Sequence, residues 1–243
     1  MNVETVSAEV IWHDAECGAY AADLPLWSRL AAEAGSILEL GCGTGRVALH
    51  LAGRGRRVTA IDRSEELIAE LRRRAASAGL ELRAQAADAS DFDLGERFDL
   101  IVAPMQLVQL LDAGERRRCL NSIAANLRSG GKAAIAIVEG DDAGVPESAP
   151  LPDVREVDGW VYSSLPLGVR VEDDSLIVER LRQTVAPDGH LSEARSLDRL
   201  RIIDAEQLSD EARAAGLRPA ERLAVGPTKA HVGSTVVVLE ART

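Results

Sequence analysis

The sequence predicts an α/β fold built around a parallel β-sheet, and two observations support this prediction. Short apolar runs alternate with segments of helical periodicity at intervals of about 20–30 residues. A glycine-rich turn joins the first apolar run to the helix that follows it. The core must be mainly aliphatic, because aromatic residues make up only 3% of the chain. Repeated strand–helix units of this kind imply right-handed crossovers, which make successive strands parallel.

The first half of the chain supplies the strands and helices of this sheet in alternation. Apolar runs predict strands at 36–40, 57–61, 80–86, 98–102 and 133–138. Helical spacing predicts helices over 24–34, directly after Gly45, from the N-cap Ser64 to Gly79, and over 115–127. The residues before 24 show no clear period and are interpreted as a lead-in segment that could cover the site.

The second half of the chain predicts antiparallel strands. Residues 141–152 hold three prolines and several acids, which is typical of a loop. Alternating residues and turn signals fill 161–203, and Pro187-Asp188-Gly189 predicts a hairpin. A helix over 203–215 and strands over 217–225 and 231–240 close the chain. The inserted strands could cover a binding pocket or form the edge of a dimer, and the sequence leaves both open.

Composition excludes several classes of protein. The 243 residues include 28 Lys and Arg against 39 Asp and Glu, and this net charge of −11 argues against a nucleic-acid binder. No apolar run approaches the roughly 20 residues of a membrane span. The N-terminus lacks a secretory signal, and the three cysteines (Cys17, Cys42 and Cys119) form no Cys-x-x-Cys pair. We therefore expect a cytoplasmic protein with reduced thiols and one large domain, residues 1–243.

The glycine-rich turn predicts a ligand-binding loop. Gly41, Gly43 and Gly45 follow the first strand, where a backbone without Cβ atoms lets a ligand approach the free N–H groups. Arg46 stands where a dinucleotide motif requires its third glycine, so a nicotinamide oxidoreductase is disfavoured. The alternative is that the glycines only permit a tight turn between strand and helix.

Three acidic residues flank this loop. Glu39 precedes it, Asp62 ends the second strand, and Asp88 follows the third. Asp62 could accept hydrogen bonds from ribose hydroxyls, and Asp88 from an adenine amine. Three carboxylates suit a cationic nucleoside better than a pyrophosphate. The alternatives are that Asp62 is an ordinary carboxylate before a helix and that Asp88 is only a loop acid.

Five segments together resemble the motifs of class I S-adenosylmethionine-dependent methyltransferases. They are residues 37–46 (ILELGCGTGR), 58–64 (VTAIDRS), 87–89 (ADA) with Phe92, 98–104 (FDLIVAP) and 127–132 (LRSGGK). The order and spacing match that family over residues 36–138. Tyr20 and residues 23–27 (DLPLW) also resemble the segment before the first motif in a bacterial subgroup that acts on small molecules.

The resemblance implies a Rossmann-like seven-stranded sheet, mostly parallel with an antiparallel last strand, plus the inserted antiparallel β segment. It divides the single domain into a lead-in or lid (1–35), a cofactor-binding core (36–138), a loop with inserted strands (139–203) and a closing helix with strands (204–243). The cofactor that it implies is S-adenosylmethionine.

The resemblance also implies which residues meet the cofactor. Glu39 would orient its amino end, Asp62 would hold the ribose, and Asp88 with Ala89 would meet the adenine. The full set of expected cofactor contacts is Tyr20, Glu39, Gly41, Cys42, Gly43, Thr44, Gly45, Arg46, Asp62, Arg63, Asp88, Ala89, Ala103 and Pro104. Cys42 is interpreted as a small apolar filler rather than a nucleophile.

No motif identifies a catalytic residue. The sulfonium already activates the methyl group, so alignment and exclusion of water can suffice. The sequence after the fourth strand, Ala103 to Gln106, lacks the pattern of methylases that act on base amino groups and offers no carboxylate for a metal, and we expect no metal. The best candidate for a general base is His13 in the lead-in segment, and the alternative is that it has no chemical role.

Acceptor contacts are expected from Trp12, Met105, Gln106 and the segment 139–162. Trp160 and Tyr162 are rare aromatics in that segment, and they could instead pack the insertion onto the sheet. The predicted function is methyl transfer from S-adenosylmethionine to a nitrogen or oxygen of a small molecule, without nucleic-acid or membrane partners and with a possible homodimer. The alternatives are an RNA or protein methyltransferase of the same fold, or a module that binds the cofactor without turnover.

Overall fold

A computed structural model describes residues 6–139, 151–228 and 231–242. Its strands are β1 (Ile37–Leu40), β2 (Val58–Asp62), β3 (Arg83–Ala86), β4 (Phe98–Ala103), β5 (Leu127–Ile137), β6 (Asp153–Val157), β7 (Trp160–Glu172), β8 (Ser175–Val185), β9 (Leu191–Arg201), β10 (Leu217–Val225) and β11 (Ser234–Ala241). Its helices are α1 (Ala8–Cys17), α2 (Leu24–Leu30), α3 (Arg46–Ala52), α4 (Glu65–Ser77), α5 (Ala113–Asn126) and α6 (Ala205–Ala214).

Seven strands form the main sheet, in the order β10-β11-β5-β4-β1-β2-β3. Strands β1 to β5 pair in parallel, whereas β11 is antiparallel to both β5 and β10. This confirms the predicted mixed sheet with an antiparallel last strand. The strand order reverses between β1 and β4, and in open α/β sheets ligands bind beyond the carboxyl ends of the strands at such a point.

Alternate residues of the central strands feed two apolar layers, one on each face of the sheet. Leu38 and Leu40 of β1 pack with α5 and α6 on one face. Ile37 packs with α2, α3 and α4 on the other, where Trp27 is the largest fully buried side chain. Glu39 shares the face of Ile37, because side chains alternate along a strand. The alternation thus places a carboxylate inside an apolar layer, next to α3.

The helix starts follow the capping signals. The side chain of Ser64 accepts a hydrogen bond from the N–H of Leu67, and Asp204 caps α6 in the same way through Gln207. Helix α5 begins with a capping box formed by Asp112 and Glu115, two residues before the predicted start.

Several elements differ from the prediction. Helix α2 ends at Leu30 rather than at residue 34, β3 begins at Arg83 rather than at residue 80, and β5 begins at Leu127 rather than at residue 133. Residues Ala8–Cys17 of the lead-in form a helix capped by Ser7, and strand β6 was not predicted. Helix α5 ends one residue earlier than predicted because Leu127 is already extended and starts β5. Most of the expected loop at 141–152 lies outside the described residues.

The inserted segment forms a separate four-stranded antiparallel sheet in the order β6-β7-β8-β9. Its strands are joined by tight turns, and the predicted hairpin at Pro187-Asp188-Gly189 is confirmed between β8 and β9. One face of this second sheet packs against α1, since Arg155 of β6 and Arg182 of β8 both bind carboxylates of that helix. Helix α1 therefore lies between the second sheet and the main sheet.

None of the helices in the described part of the chain is long and apolar enough to cross a membrane.

Candidate cofactor and acceptor site

The glycine loop between β1 and α3 is packed too closely to accept side chains. Gly41, Gly43 and Gly45 all have positive φ angles, of 63°, 54° and 97°. A Cβ on Gly41 would lie 2.8 Å from the Leu107 Cδ1 atom, and one on Gly45 would lie 2.2 Å from Leu71 Cδ1. The glycines therefore do more than permit a turn, because the loop needs both their conformation and their small size.

Asp62 holds the loop from the end of the neighbouring strand. Its Oδ2 accepts the N–H of Gly43 at 2.8 Å, and its Oδ1 accepts the N–H of Ser64 at 3.0 Å. The carboxylate is only half-buried. Each of its oxygens has a further lone pair, so Asp62 can fix the loop and still accept hydrogen bonds from a ligand.

Glu39 is a buried carboxyl group that lacks a hydrogen-bonding partner on one oxygen. Its side chain is inaccessible to solvent, and Oε2 has no partner among the described residues. Burial raises the pKa of Glu39 to about 8, while Arg46 and the backbone of Ala48 favour its ionised form. An unpaired buried oxygen costs free energy, so this atom fits a ligand that brings a hydrogen-bond donor or a positive charge.

Arg46 begins α3 and binds the lead-in segment. Its guanidinium donates to both carboxylate oxygens of Asp23, at 2.5 and 2.7 Å, and to the carbonyl oxygen of Tyr20 at 3.0 Å. It also lies 5.2 Å from the centroid of the Tyr20 ring. Asp23 is buried and accepts the indole N–H of Trp27 as well. The pair therefore anchors residues 20–23 beside Glu39.

Helix α1 brings His13 and Asp14 onto the loop. A Cβ on Gly43 would lie 2.1 Å from His13 Nε2, so the imidazole ring lies against the bare glycine. Asp14 is buried and accepts the Thr44 hydroxyl at 2.7 Å, and it also binds Arg74 of α4. Burial lowers the pKa of His13, against the opposite effect of Asp14 and Asp62. The imidazole is therefore neutral at pH 7.

Asp88 and Ala89 lie in the loop after β3. The Oδ1 of Asp88 accepts the N–H of Ser90 at 2.8 Å, and its side chain remains exposed. Ala89 packs against the main core. Asp88 therefore shapes a turn in this loop through one of its two carboxylate oxygens.

The segment after β4 turns sharply. Ala103 and Pro104 are buried, and Met105 and Gln106 have positive φ angles of 52° and 57°. Such φ values cost energy in residues with a side chain and persist where the surroundings enforce them. Gln109 supplies part of that support, because its buried amide binds the backbone of Val138 at 2.7 and 3.0 Å.

Trp12, an expected acceptor contact, belongs to α1, and its ring lies between that helix and the second sheet. Its ring meets that of Tyr162 edge to face at a centroid distance of 5.4 Å, and the Arg182 guanidinium lies 5.1 Å from its centroid. Arg182 also binds both carboxylate oxygens of Glu16 at 2.7 Å. Trp160, by contrast, remains 41% exposed.

Cys42 and Arg63, the two expected cofactor contacts not yet described, differ in exposure. Cys42 is buried, and burial raises the pKa of its thiol, which makes the thiolate rare. Arg63 is exposed at the end of β2.

The structure thus gathers Glu39, the three glycines, Thr44, Asp62 and His13 around one loop. Three carboxylates that position this site, Asp14, Glu16 and Asp23, had no role assigned from the sequence, although Asp23 belongs to the resembling segment 23–27. Asp14 and Glu16 lie before residue 24, where no periodicity indicated a helix. The basic partners of Asp14 and Glu16 are distant in sequence, in α4 and the second sheet.

Comparisons with known proteins agree with this architecture. A family model described as a methyltransferase domain matches residues 37–131. Hemagglutinin 1 of Eikenella corrodens is 37% identical over 94 residues, which are 39% of this chain and 31% of that protein. The chain therefore matches about a third of the length of the curated relatives.

Two solved structures resemble the whole chain. The S-adenosylmethionine-bound CalS10 of Micromonospora echinaspora, described as an amino pentose methyltransferase, gives a TM-score of 0.73 at 20% identity and covers 99% of each chain. The sugar N-methyltransferase KedS8 of Streptoalloteichus sp ATCC 53650 gives 0.73 at 22% identity, over 99% of this chain and 89% of that one.

Residues 37–131 match a methyltransferase domain, and the fold of the chain is that of solved structures described as S-adenosylmethionine-dependent methyltransferases. The predicted resemblance and fold class are thereby confirmed, and CalS10, which shares this fold, is described as bound to S-adenosylmethionine. The orphaned Oε2 of Glu39 and the bare glycine loop suit the ammonium and methionine portions of that cofactor.

Proposed function

We propose that this protein transfers a methyl group from S-adenosylmethionine to the amine nitrogen of a small, sugar-like acceptor. The observation that carries the proposal is the unpaired, buried oxygen of Glu39 beside a loop of three closely packed glycines. An ammonium group donates to that oxygen and favours the ionised carboxyl group, whereas a pyrophosphate brings only acceptors and negative charge. The two structural relatives described above as acting on an amino pentose and a sugar nitrogen support the choice of acceptor.

Each residue around the loop receives one role in this proposal. Glu39 holds the ammonium group, and Asp62 holds the ribose hydroxyls with the lone pairs that Gly43 and Ser64 leave open. The exposed oxygen of Asp88 and the small side chain of Ala89 meet the adenine. Tyr20, Arg46 and Thr44 shape the methionine end, and Ala103 with Pro104 border the methyl group. Cys42 and Arg63 complete the cofactor surroundings as neighbours in sequence.

The acceptor lies, in this proposal, between α1 and the second sheet. Trp12 and Tyr162 offer a mutually packed aromatic wall for the apolar face of a sugar ring. Met105 and Gln106, fixed by their unusual backbone at the end of β4, contact the acceptor from the main sheet. The neutral His13 is the base that takes the proton released from the amine.

The proposal is tested by incubating the purified protein with methyl-labelled S-adenosylmethionine and a panel of amino sugars, with their hydroxyl analogues as matched controls. We expect labelled product and S-adenosylhomocysteine with the amines and little with the analogues. Label on the hydroxyl analogues would show that the methylated atom is an oxygen rather than a nitrogen. Label only on RNA or protein added to the same assay would overturn the small-molecule proposal.

We also propose a homodimer formed by pairing of β9, the edge strand of the second sheet. Its side chains are mostly exposed over 11 residues. Antiparallel pairing centred on Ser196 sets Glu193 opposite the partner subunit's Arg199 on both sides of the axis. Pairing centred on Arg195 or Leu197 instead opposes two arginines, which is destabilising.

Light scattering tests the dimer through a charge exchange. Glu193→Arg should shift the protein toward monomer, and Glu193→Arg with Arg199→Glu should restore the dimer. Glu156→Arg, on the opposite edge strand β6, is the control and should leave the mass unchanged. A monomeric parent protein would refute the dimer.

A further inference from the structure

The contacts of Thr44 determine which nitrogen of His13 carries its proton. The hydroxyl of Thr44 has one hydrogen, and it donates this hydrogen to Oδ1 of Asp14 at 2.7 Å. The hydroxyl oxygen of Thr44 itself lies 3.4 Å from Nδ1 of His13. Because the Thr44 hydrogen is donated to the carboxylate, the Thr44 oxygen is an acceptor toward the ring, and this contact favours a proton on Nδ1.

Asp14 is fixed in this acceptor role by basic residues on two other elements. Arg74 of α4 donates to both of its oxygens, and Arg155 of β6 lies 3.1 Å from Oδ2. The Asp14 side chain is only 2% exposed. Burial alone would raise the pKa of Asp14, but these ion pairs and the hydrogen bond from Thr44 lower it overall. Asp14 therefore stays ionised at neutral pH and cannot donate a proton to Thr44.

We propose that Asp14, acting through Thr44, is a positioning residue that holds His13 in the Nδ1–H tautomer and leaves Nε2 unprotonated at the glycine loop. The inference rests on the proposed function for its catalytic meaning. Nε2 is the atom that faces Gly43, where it lies 2.1 Å from a Cβ built on that residue. The basic nitrogen is therefore on the side of the proposed cofactor loop.

Methylation of the amine leaves an excess proton on the acceptor nitrogen, and His13 accepts it. The lone pair of the acceptor nitrogen forms the new N–C bond while the S–C bond breaks and leaves its electron pair on sulfur. The resulting ammonium group releases a proton to Nε2 of His13, which becomes an imidazolium. Its Nδ1–H still donates to Thr44, and the negative charge of Asp14 stabilises the cation.

The charged groups that face His13 come from three elements. Asp14 and Glu16 belong to α1, Asp62 to β2 and Arg74 to α4. The acids favour the imidazolium and Arg74 opposes it, while burial favours the neutral ring most strongly. The tautomer assignment depends on the neutral ring, and pH 7.5 is the condition for its measurement.

Long-range ¹H–¹⁵N NMR of protein labelled in histidine tests the inference without any acceptor. The signals of His13 are assigned by their loss in His13→Gln. We expect a pyrrole-type shift for Nδ1 and a pyridine-type shift for Nε2. In Thr44→Val the ring should change to the Nε2–H form, and in Thr44→Ser it should keep the Nδ1–H form. Thr235→Val is the matched control. Thr235 lies on β11, and the variant removes a hydroxyl that donates to Glu139 at 2.6 Å.

Activity measurements supply the second readout. Thr44→Val should lower kcat roughly ten- to a hundredfold, while Thr44→Ser recovers most of the loss. An Nε2–H ring or an imidazolium in the parent protein at pH 7.5, or an unchanged tautomer in Thr44→Val, would overturn the inference. If the tautomer is as expected but no amine is methylated, the proposed function fails and the assignment of the tautomer stands.

Discussion

The imidazole of His13 lies against the Cα of Gly43, so closely that a Cβ on the glycine would stand 2.1 Å from Nε2. His13 comes from α1 and Gly43 from the loop between β1 and α3, thirty positions further along the chain. The contact joins helix α1 to Gly43, whose N–H donates a hydrogen bond to Asp62. Changes in either residue should therefore affect both the lead-in helix and the cofactor loop.

Gly43→Ala should weaken cofactor binding strongly, because the added methyl group displaces His13 and the φ angle of 54° disfavours alanine. Gly55→Ala is the matched control, since Gly55 has a similar φ of 73° and open space around its Cβ position. We expect Gly55→Ala to cost about 1–2 kcal/mol of unfolding free energy and to leave binding unchanged. Calorimetric titration with S-adenosylhomocysteine and urea unfolding provide the two measurements.

When His13→Ala is combined with Gly43→Ala, the double variant should regain part of the unfolding free energy that Gly43→Ala loses. The two residues touch, so their effects on unfolding free energy should be non-additive. Additive effects would show that the contact with His13 does not limit the space at Gly43.

Glu39 should release a proton when the cofactor binds. With its pKa raised to about 8 by burial, the carboxyl group is mostly protonated at pH 7, and the ammonium group of the ligand should ionise it. Titration with S-adenosylhomocysteine at pH 7 in buffers of different ionisation enthalpy should report release of about 0.9 protons per chain. Glu39→Gln should bind more weakly and release none from this position. Equal proton release in both proteins would contradict the role of Glu39.

The same group should make the ligand-free protein less stable as pH rises. The folded pKa lies above the ordinary value of 4.5 for Glu, so the folded state binds more protons than the unfolded state between pH 4.5 and about 8. Stability contributed by Glu39 is therefore complete below pH 4.5 and declines by about 1.4 kcal/mol per pH unit through this window. Urea unfolding of Glu39→Gln should show a correspondingly flatter pH dependence, and identical slopes would oppose the assignment.

Asp62 and Asp88 should differ in their importance for the cofactor. Asp62→Asn removes the charge that the Gly43 N–H and the proposed ribose contacts share, and a loss of about ten- to a hundredfold in affinity is expected. Asp88→Asn is the matched change in the exposed loop, where one oxygen already accepts from Ser90, and the loss should be smaller. Titration with S-adenosylhomocysteine measures both, and a larger effect at Asp88 would reverse the proposed roles.

Trp12 should affect the acceptor more than the cofactor. Trp12→Leu removes the ring that packs on Tyr162 and under Arg182, so the KM for the amine should rise several-fold to about tenfold. Trp160→Leu changes the same residue type at an exposed position on the same sheet and serves as the control. A rise in the cofactor Kd with an unchanged acceptor KM would place Trp12 outside the acceptor site.

Most of the main sheet was predictable from sequence because most of its strands are local apolar runs, and β1 and β2 are followed closely by a glycine or a capping residue. The cofactor loop was predictable for the same reason, since Glu39, the three glycines and Asp62 adjoin the ends of β1 and β2. The lead-in helix α1 was not predicted, because its stability depends on partners far along the chain. Glu16 meets Arg182, and Asp14 meets Thr44 and Arg74, at separations that no periodicity reveals.

The relation between the inserted strands and the site also required the structure. The sequence left a pocket cover and a dimer edge as alternatives. The second sheet packs one face against α1, and its edge strand β9 remains exposed, so the two alternatives involve different parts of the same sheet.

A crystal structure grown with excess S-adenosylhomocysteine tests the central claim most directly. We predict ligand density over Gly41, Gly43 and Gly45, with the ribose hydroxyls at Asp62 and the amino group at Glu39. Crystals that form at saturating ligand and show no density there, with the Glu39 oxygen still unpaired, would contradict the account.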